Sequence, residues 1–480
     1  MFRTVLFLAV TLACLAEGAA MNAASTSELL EKGIYTEETV GDLDKAITIY
    51  EKVVAEAKAS HALAARAQFR LGQCLLKKGK KTEAAAAFQK VIDDFSDQKE
   101  LVAKARKFIP EGIQLQPVPW VDGETMQLNM RLVGGMEIGT IVYTAASAKL
   151  DDRKIWKVGS RTMVTLSAAN GTSCVAADWD TFRPIQSSYK MTPVMGSFTV
   201  KYLPTQLVVT ADGPMGKSTK TIEQSQIVYD NEQAMDVMRR LPLAAGYKTT
   251  LPILGIGGSI INLPIEVQGK ESVKVPAGEF ECFKIHLGLV NQTFWYSTDP
   301  HRYLVKFDAT AVVAELTAIG QDKPGELRRF EDQKLGLSLA SPNEWFFFAP
   351  SAAGKGEARI FLLDPQAIAT CVLSVVKLSD LKPEEQKSLR AWADATTVER
   401  SKAEENYKVR GDSWHEEKIA GVAALSYVAD YGRGKEKMVD YRTFLRGQSM
   451  ALKFAVTIPQ EQFEGFRKTF DTIVESLKVK

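Results

Sequence analysis

Hydrophobic positions between residues 25 and 110 recur with a helical period, and the block then repeats itself. Ala46, Tyr50 and Val53 return as Ala84, Phe88 and Val91, each 38 residues on, and Gly33 finds its counterpart in Gly72 one residue off that register. A repeat of this length predicts stacked helical hairpins. The small Ala lets two helices approach, the aromatic four residues later fills the groove between hairpins, and the Gly sits where the first helix meets its neighbour. Punctuation agrees. Ser25 with Glu28 forms a candidate capping box, Asp42 and Thr82 are candidate N-caps, Gly79 is placed to end a helix, and a last helix over 101–109 runs into Pro110.

Gln116-Pro117-Val118-Pro119 is a stiff, unhelical connector, and beyond it the period falls from 3.6 to 2. Phe198, Val200 and Tyr202 alternate with polar neighbours, as do Phe283, Ile285 and Leu287, and Tyr303, Val305 and Phe307. These predict half-buried antiparallel strands. Turns are expected at Asn170-Gly171, Asp212-Gly213 and Pro276-Ala277-Gly278, and one helix over 231–240 capped by Asp230 or Asn231. Many strands at this spacing suggest a curved sheet or an open barrel, either hollow or filled by its own side chains. Gly320 to Gly325 reads as a second connector. After it come strands over 360–363, 369–376, 423–431, 438–445 and 450–458, a helix starting at Pro383-Glu384-Glu385, and a closing amphipathic helix carrying Phe463, Phe466, Phe470, Ile473, Val474 and Leu477. The expected fold is multidomain: all-α helical-hairpin repeats, then a mostly antiparallel β domain, then an α+β sandwich.

Arg3, the apolar run Val5 to Ala13 and the small residues Ala16, Gly18, Ala19 and Ala20 read as a secretory signal peptide over 1–22. The expected parts are then repeats over 25–110, a β-rich part over 120–320 and an α+β part over 326–480. Lipid attachment at Cys14 is a weaker processing route, because Thr11 stands where lipoprotein signals usually carry Leu. The most apolar later window, 251–265, is broken by Pro252, Gly255, Gly257, Gly258 and Pro264, so no transmembrane segment is expected after the signal. A periplasmic or secreted protein follows. The 480 residues carry 60 Lys and Arg against 58 Asp and Glu, a net charge of +2 that gives no surplus for a phosphate backbone, so nucleic acid is not an expected partner. Cys74, Cys174, Cys282 and Cys371 are scattered, which argues against a disulfide framework and leaves a Cys174–Cys282 bridge as the one pairing to consider.

Leu71-Gly72, Leu75, Ala84 and Phe88 resemble the tetratricopeptide pattern, with Ser96 where the closing Pro would stand and extra residues at Thr36 to Gly41. The resemblance implies a groove for a partner's peptide, and Tyr50, Arg70, Gln73 and Lys77 are the candidate partner-binding residues. Val275 to Phe280, Trp295 to Asp299 and Val305-Lys306-Phe307 look like an uncharacterised family of secreted bacterial β proteins, similar in shape to lipoprotein-carrier and lipocalin-like folds. The order of Ser341-Pro342-Asn343-Glu344-Trp345, strand pairs and a final helix after Pro459 resembles the family of the photosystem II extrinsic subunit P (PsbP) and its bacterial relatives. That resemblance implies docking to assemblies.

Few residues stand in patterns that carry chemistry. Gly213 to Ser218 leaves two residues between its glycines where a phosphate loop needs four, and Gly255 to Gly258 lacks the dinucleotide spacing. The 4 His, namely His61, His286, His301 and His415, show no ligand spacing, so neither metal nor cofactor is expected. Asp178 and Asp180 flank Trp179 and would share a strand face; Ser297, Asp299 and His301 are close in sequence but diverge in a turn. The expectation is a non-enzymatic interaction protein of the cell envelope. The alternative is a periplasmic carrier of a lipid or other apolar ligand, and a third reading is an envelope hydrolase.

Overall fold

The computed structural model describes residues 26–480 except 57–59, 109–112, 167–168, 193–195, 214–215, 225, 256, 324, 351–356, 435 and 480. The signal peptide over 1–22 and Cys14 lie outside the described residues. Two compact units result: the helical repeats grouped with 201–208 and 220–228, and residues 114–200, 209–219 and 229–480.

The repeats consist of α1 (26–35), α2 (Leu43–Glu56), α3 (His61–Lys77), α4 (Lys81–Asp94) and α5 (Lys99–Arg106). Ala46, Tyr50, Val53, Ala84, Phe88 and Val91 are all buried in one core, as the 38-residue repeat requires. The two glycines are explained by contact. A Cβ on Gly33 would lie 2.7 Å from the Tyr50 ring and one on Gly72 2.8 Å from the Phe88 ring, so each aromatic lies on bare backbone. Gly79 adopts φ +77° just past α3 while Lys80 N donates to Leu75 O at 3.0 Å, a Schellman stop. Asp42 caps α2 by accepting from Lys45 N at 3.0 Å. Thr82 falls inside the first turn of α4, which begins at Lys81, rather than at its cap. The extra residues at 36–41 are absorbed as a π-helical turn, Thr36–Val40, that continues α1 and ends on Gly41 at φ +75°.

The β-rich part begins with β1 (Glu124–Leu132), β2 (Glu137–Leu150), β3 (Arg153–Val164), β4 (Ala169–Asp178), β5 (Pro184–Thr192), β6 (Gly196–Tyr202), β7 (Gln206–Gly213) and β8 (Gly216–Glu223). After β9 (Tyr229–Asp230) and a short helical segment come β10 (Lys248–Leu254), β11 (Ile260–Val275), β12 (Gly278–Leu287), β13 (Gln292–Ser297), β14 (Leu304–Asp308) and β15 (Val312–Gln321). They form one 15-stranded sheet in the order β8-β7-β6-β5-β4-β3-β2-β1-β15-β14-β13-β12-β11-β10-β9, mostly antiparallel, with β9 parallel to β10. The sheet is open. Pro276 and Ala277 form the expected hairpin turn between β11 and β12. Asn170-Gly171 does not turn: it lies in β4, paired with Met163 and Thr162 on one side and with Thr192 and Met191 on the other. Its amide is used in tertiary contact instead, donating from Nδ2 to Ala369 O at 3.0 Å.

The predicted helix is a 3-10 turn, Asn231–Gln233, running into α6 (Ala234–Arg239), with the Asp230 carboxylate capping Glu232 N at 2.8 Å. This segment packs on β3 and β4, accepts at Met235 O from the Tyr296 hydroxyl of β13 at 3.1 Å, and pairs Arg239 with Glu124 of β1. β4 and β13 stand six places apart in the sheet, about 29 Å if it were flat. Nine helical residues span only about 15 Å. The sheet therefore curls around the helix, and the helix fills much of the concave side.

The remaining strands are β16 (Leu327–Asp332), β17 (Leu337–Pro342), β18 (Phe346–Phe348), β19 (Ala358–Leu363), β20 (Thr370–Lys377), β21 (Glu405–Val409), β22 (His415–Ile419), β23 (Val422–Arg433), β24 (Glu436–Arg446), β25 (Met450–Pro459) and β26 (Lys478–Val479). An antiparallel sheet, β18-β19-β20-β25-β24-β23-β21 with β22 beside β23, accompanies a small one, β16-β17-β26. Two helices pack here. In α8 (Gln460–Glu475), Phe463, Phe470, Ile473 and Val474 are buried in the core, as the amphipathic pattern predicts. The other, α7 (Leu389–Ala403), starts later than Pro383, because Ser388 supplies the cap through Oγ to Ala391 N while Glu385 turns back to accept from Lys382 N.

The connector Gly320 to Gly325 does not hold these sheets apart. Gln127 Nε2 donates to Phe347 O at 2.8 Å, and Val142 and Met163 share a core with Phe346, Leu363 and Ala367. Arg161, almost fully buried, reaches Glu344 O, Asp322 at 3.5 Å and the Phe346 ring.

Candidate partner-binding face and sheet pocket

In the repeats the polar structure centres on a residue that the periodic pattern does not single out. Glu37, carried inward by the π-helical turn, is 1% exposed, and three donors surround it: the Tyr50 hydroxyl at 2.7 Å, Lys77 Nζ at 2.7 Å and Arg70 Nη1 at 3.2 Å. Arg70 Nη1 also reaches Glu38 at 2.6 Å. Burial pushes the Glu37 carboxyl up, but the bonds from Lys77, Tyr50 and Arg70 outweigh it and hold the group below its ordinary 4.5. Burial also pushes the neighbouring Cys74 thiol up to about 12, which keeps it protonated and unreactive.

Of the candidate partner-binding residues, Tyr50 has no exposed surface; it serves by holding Glu37. Arg70, Gln73 and Lys77 follow the i, i+3, i+7 spacing of one face of α3. Arg70 is 28% and Lys77 54% exposed, Gln73 is half-buried between them, and the apolar Leu76 is exposed nearby. This face can donate hydrogen bonds to carbonyl or carboxylate oxygens while Glu37 fixes the two cations from below. The six-residue interruption of the repeat was the one sequence signal for Glu37 and Glu38.

The catalytic candidates are otherwise engaged. Asp178 ends β4 and accepts from Thr181 N at 2.7 Å and Thr181 Oγ1 at 2.6 Å, so the chain turns there and Asp180 does not share a strand face with it. Ser297 Oγ accepts from Tyr303 N, and Asp299 accepts from His301 N, each at 2.7 Å. The His301 ring instead stacks on Tyr303 with Nδ1 4.0 Å from Glu124. Cys174 and Cys282 are both free thiols. Among the described residues, no group of three or more His, Cys, Asp or Glu is placed to hold a metal ion.

Inside the curled sheet, Arg239 binds Glu124 at 2.5 Å, His301 O at 2.8 Å and Arg302 O at 3.1 Å, and lies 3.6 Å from Asp236, whose carboxyl burial pushes up to about 7. This staples α6 to β1 and the 301–302 turn. Beyond the front of the 3-10 turn there is a cavity. Its walls come from Tyr189 of β5, Phe198 and Val200 of β6, Val209 of β7 and Leu254 of β10, and its polar end from Asp230, Asn231 and Glu232. The end strand β9 thus comes beside β5, an inner strand of the other half of the sheet, at this cavity, with no hydrogen-bonded ladder joining them among the described residues.

Among the described residues no helix is long and apolar enough to cross a membrane. No curated protein matches the chain. Among solved structures, cyanobacterial PsbP from Synechocystis is 14% identical, covering 34% of this chain and 96% of its own, with a TM-score of 0.28. A beta-barrel-like protein of domain of unknown function DUF1849 from Brucella abortus is 10% identical over 44% of this chain and 100% of its own, with a TM-score of 0.30. LpqN of Mycobacterium tuberculosis, involved in cell envelope biogenesis, is 12% identical over 32% and 90%, with a TM-score of 0.23. Residues 36–99 match the tetratricopeptide repeat model, and residues 126–318 match the family model of a protein of unknown function, DUF3108.

Proposed function

We propose that this chain is an exported, non-enzymatic docking protein of a bacterial envelope, whose repeats hold a partner's peptide on the face of α3. The observation that carries this reading is the Arg70, Gln73, Lys77 stripe, pre-set from beneath by buried Glu37. Side chains already ordered by an internal partner lose less entropy when a peptide arrives. The tetratricopeptide match over 36–99 supports protein interaction by this part. The PsbP-like order of motifs in 326–480 supports a second docking surface there, and the apolar run with small residues in 1–22 supports export to the periplasm or beyond.

Gln73→Trp tests the site without touching the Glu37 cluster. Affinity capture from envelope extract with the full chain and this variant should lose at least one partner recovered by the wild type, with melting unchanged. An identical partner set from a folded variant would remove α3 as the docking face.

A further inference from the structure

Four hairpin tips at one end of the large sheet share a composition that turns seldom have. They are 133–136 between β1 and β2, 165–168 between β3 and β4, 288–291 between β12 and β13, and 309–311 between β14 and β15. The strand order β4-β3-β2-β1-β15-β14-β13-β12 is unbroken, so the tips stand side by side. Register sets them nearly level. Thr293 pairs with Asp308, Asp308 with Val313, Val313 with Arg131 and Arg131 with Glu137, one line across β13, β14, β15, β1 and β2; Gly139, Val164 and Ala169 carry it on to β4 from two residues further in. Hydrogen bonds tie tip to tip: Val133 N donates to Ala311 O at 3.2 Å, Thr310 Oγ1 to Asn291 O at 3.3 Å, and Thr165 N to Ile138 O, just behind the first tip, at 2.8 Å. The resulting ridge is apolar. Val133, Met136, Leu166, Leu289 and Val290 are between 44% and 65% exposed, and in sequence the four tips hold no Asp, Glu, Lys, Arg or His. The turns 151–152, 179–183 and 298–303, at the other end of the same strands, carry Asp151, Asp152, Asp180, Arg183, Asp299 and Arg302.

We propose that this ridge enters the surface of a lipid membrane, its five apolar side chains reaching the boundary between head groups and acyl chains while the charged end of the sheet stays in water. Apolar side chains scattered singly over a surface need no explanation, but five gathered on adjacent tips mark an interaction site. Charge then selects the partner. Hydrocarbon is the surrounding in which a charged side chain costs most, and the strands run from a charged end to a charge-free one, which is the gradient a molecule needs to sit across a lipid–water boundary. Shape agrees with it. The sheet curls, so its tips lie on an arc at nearly one level, and a plane meets such an arc at every tip together, whereas a folded protein would have to follow the curve. The bonds between tips hold the ridge in place beforehand, so little order is lost on contact. This role is independent of peptide docking on α3.

The test uses the full chain and a readout local to the ridge, so that vesicle contact by the apolar run at residues 5–13 is not counted. An environment-sensitive fluorescent residue is placed at position 289, at position 133, or at position 327, where the exposed Leu327 stands outside the ridge. Vesicles of phosphatidylcholine and phosphatidylethanolamine should brighten the probe at least twofold and shift its emission to the blue at 289 and 133, and leave it unchanged at 327. Because the tips carry no charge, adding phosphatidylglycerol or about 0.5 M salt should alter the response less than twofold. Val133→Asp combined with Leu166→Asp should lower the response at 289 at least tenfold with melting unchanged. No response at 289 and 133, an equal response at 327, a response that needs phosphatidylglycerol and vanishes in salt, or an undiminished response in the folded double variant would overturn the proposal. So would a dimer, seen by light scattering, that the double variant dissolves while vesicles leave the probe dark, since the ridge would then belong to a second copy of the chain. Should the double variant fail to fold, the comparison of 289 and 133 with 327 decides.

Discussion

Glu37 shows at the scale of one residue how a local irregularity becomes a working feature. A carboxylate 1% exposed is tolerable only with its partners in place, and Tyr50, Arg70 and Lys77 supply them. Removing it leaves the buried Tyr50 hydroxyl without its acceptor while Arg70 and Lys77 still reach water, so Glu37→Ala should cost about 1–3 kcal/mol in urea unfolding of the repeats. The pH dependence follows from the depressed carboxyl. Above the ordinary 4.5 the stabilisation is fully present; as pH falls through the lower folded value, the unfolded chain takes up the proton first and the stabilisation is lost. Melting of the wild type should therefore drop as pH falls below about 4.5, and Glu37→Gln should flatten much of that drop; an unchanged slope in the variant would place the titrating group elsewhere. Little of this was legible beforehand. Arg70, Gln73 and Lys77 could be read from helical spacing, but Glu37 lies in an insertion, where periodicity gives no direction to a side chain, and Tyr50 reads equally as core or surface until Gly33 and Glu37 are seen around it.

Among the elements, helices announced themselves through spacing and stops, and strands through alternation. The 38-residue repeat gave both aromatic-on-glycine contacts, and these can be tested. Gly72→Ala drives a methyl into the Phe88 ring and should destabilise the repeats by about 1–3 kcal/mol, whereas Gly411→Ala, with open space around its Cβ, should change melting little; similar effects at both sites would show that α3 and α4 are not held by close approach. The misread elements have two causes. Asn170-Gly171 has turn chemistry, but Asn170 is claimed by Ala369 O, 199 residues away, so local propensity yields to a tertiary partner. Pro383-Glu384-Glu385 has helix-start chemistry, but Ser388 caps a better-placed first turn, so one local signal yields to another. The curl of the large sheet was expected from its many strands; that the segment 231–239 would fill its concave side was out of reach, because it depends on which strands that segment touches.

For the molecule as a whole, the connector at 320–325 suggested separable β-rich and α+β parts, whereas the fold joins them through a common core and Arg161. A change there should be felt on both sides. Arg161→Ala removes the guanidinium between Glu344 O, Asp322 and Phe346, and should cost about 1–3 kcal/mol. Hydrogen exchange should show faster exchange in β2 and β3 and also in β19 and β20; faster exchange on one side alone would mean that the two sheets open independently. The docking account rests on the outward face of α3, and the most direct measurement is site-specific photo-crosslinking in the intact envelope. A photoreactive residue at position 73 should capture a discrete partner that the same residue at position 51, exposed on α2, does not. Identical products from both positions, or none from position 73, would contradict it.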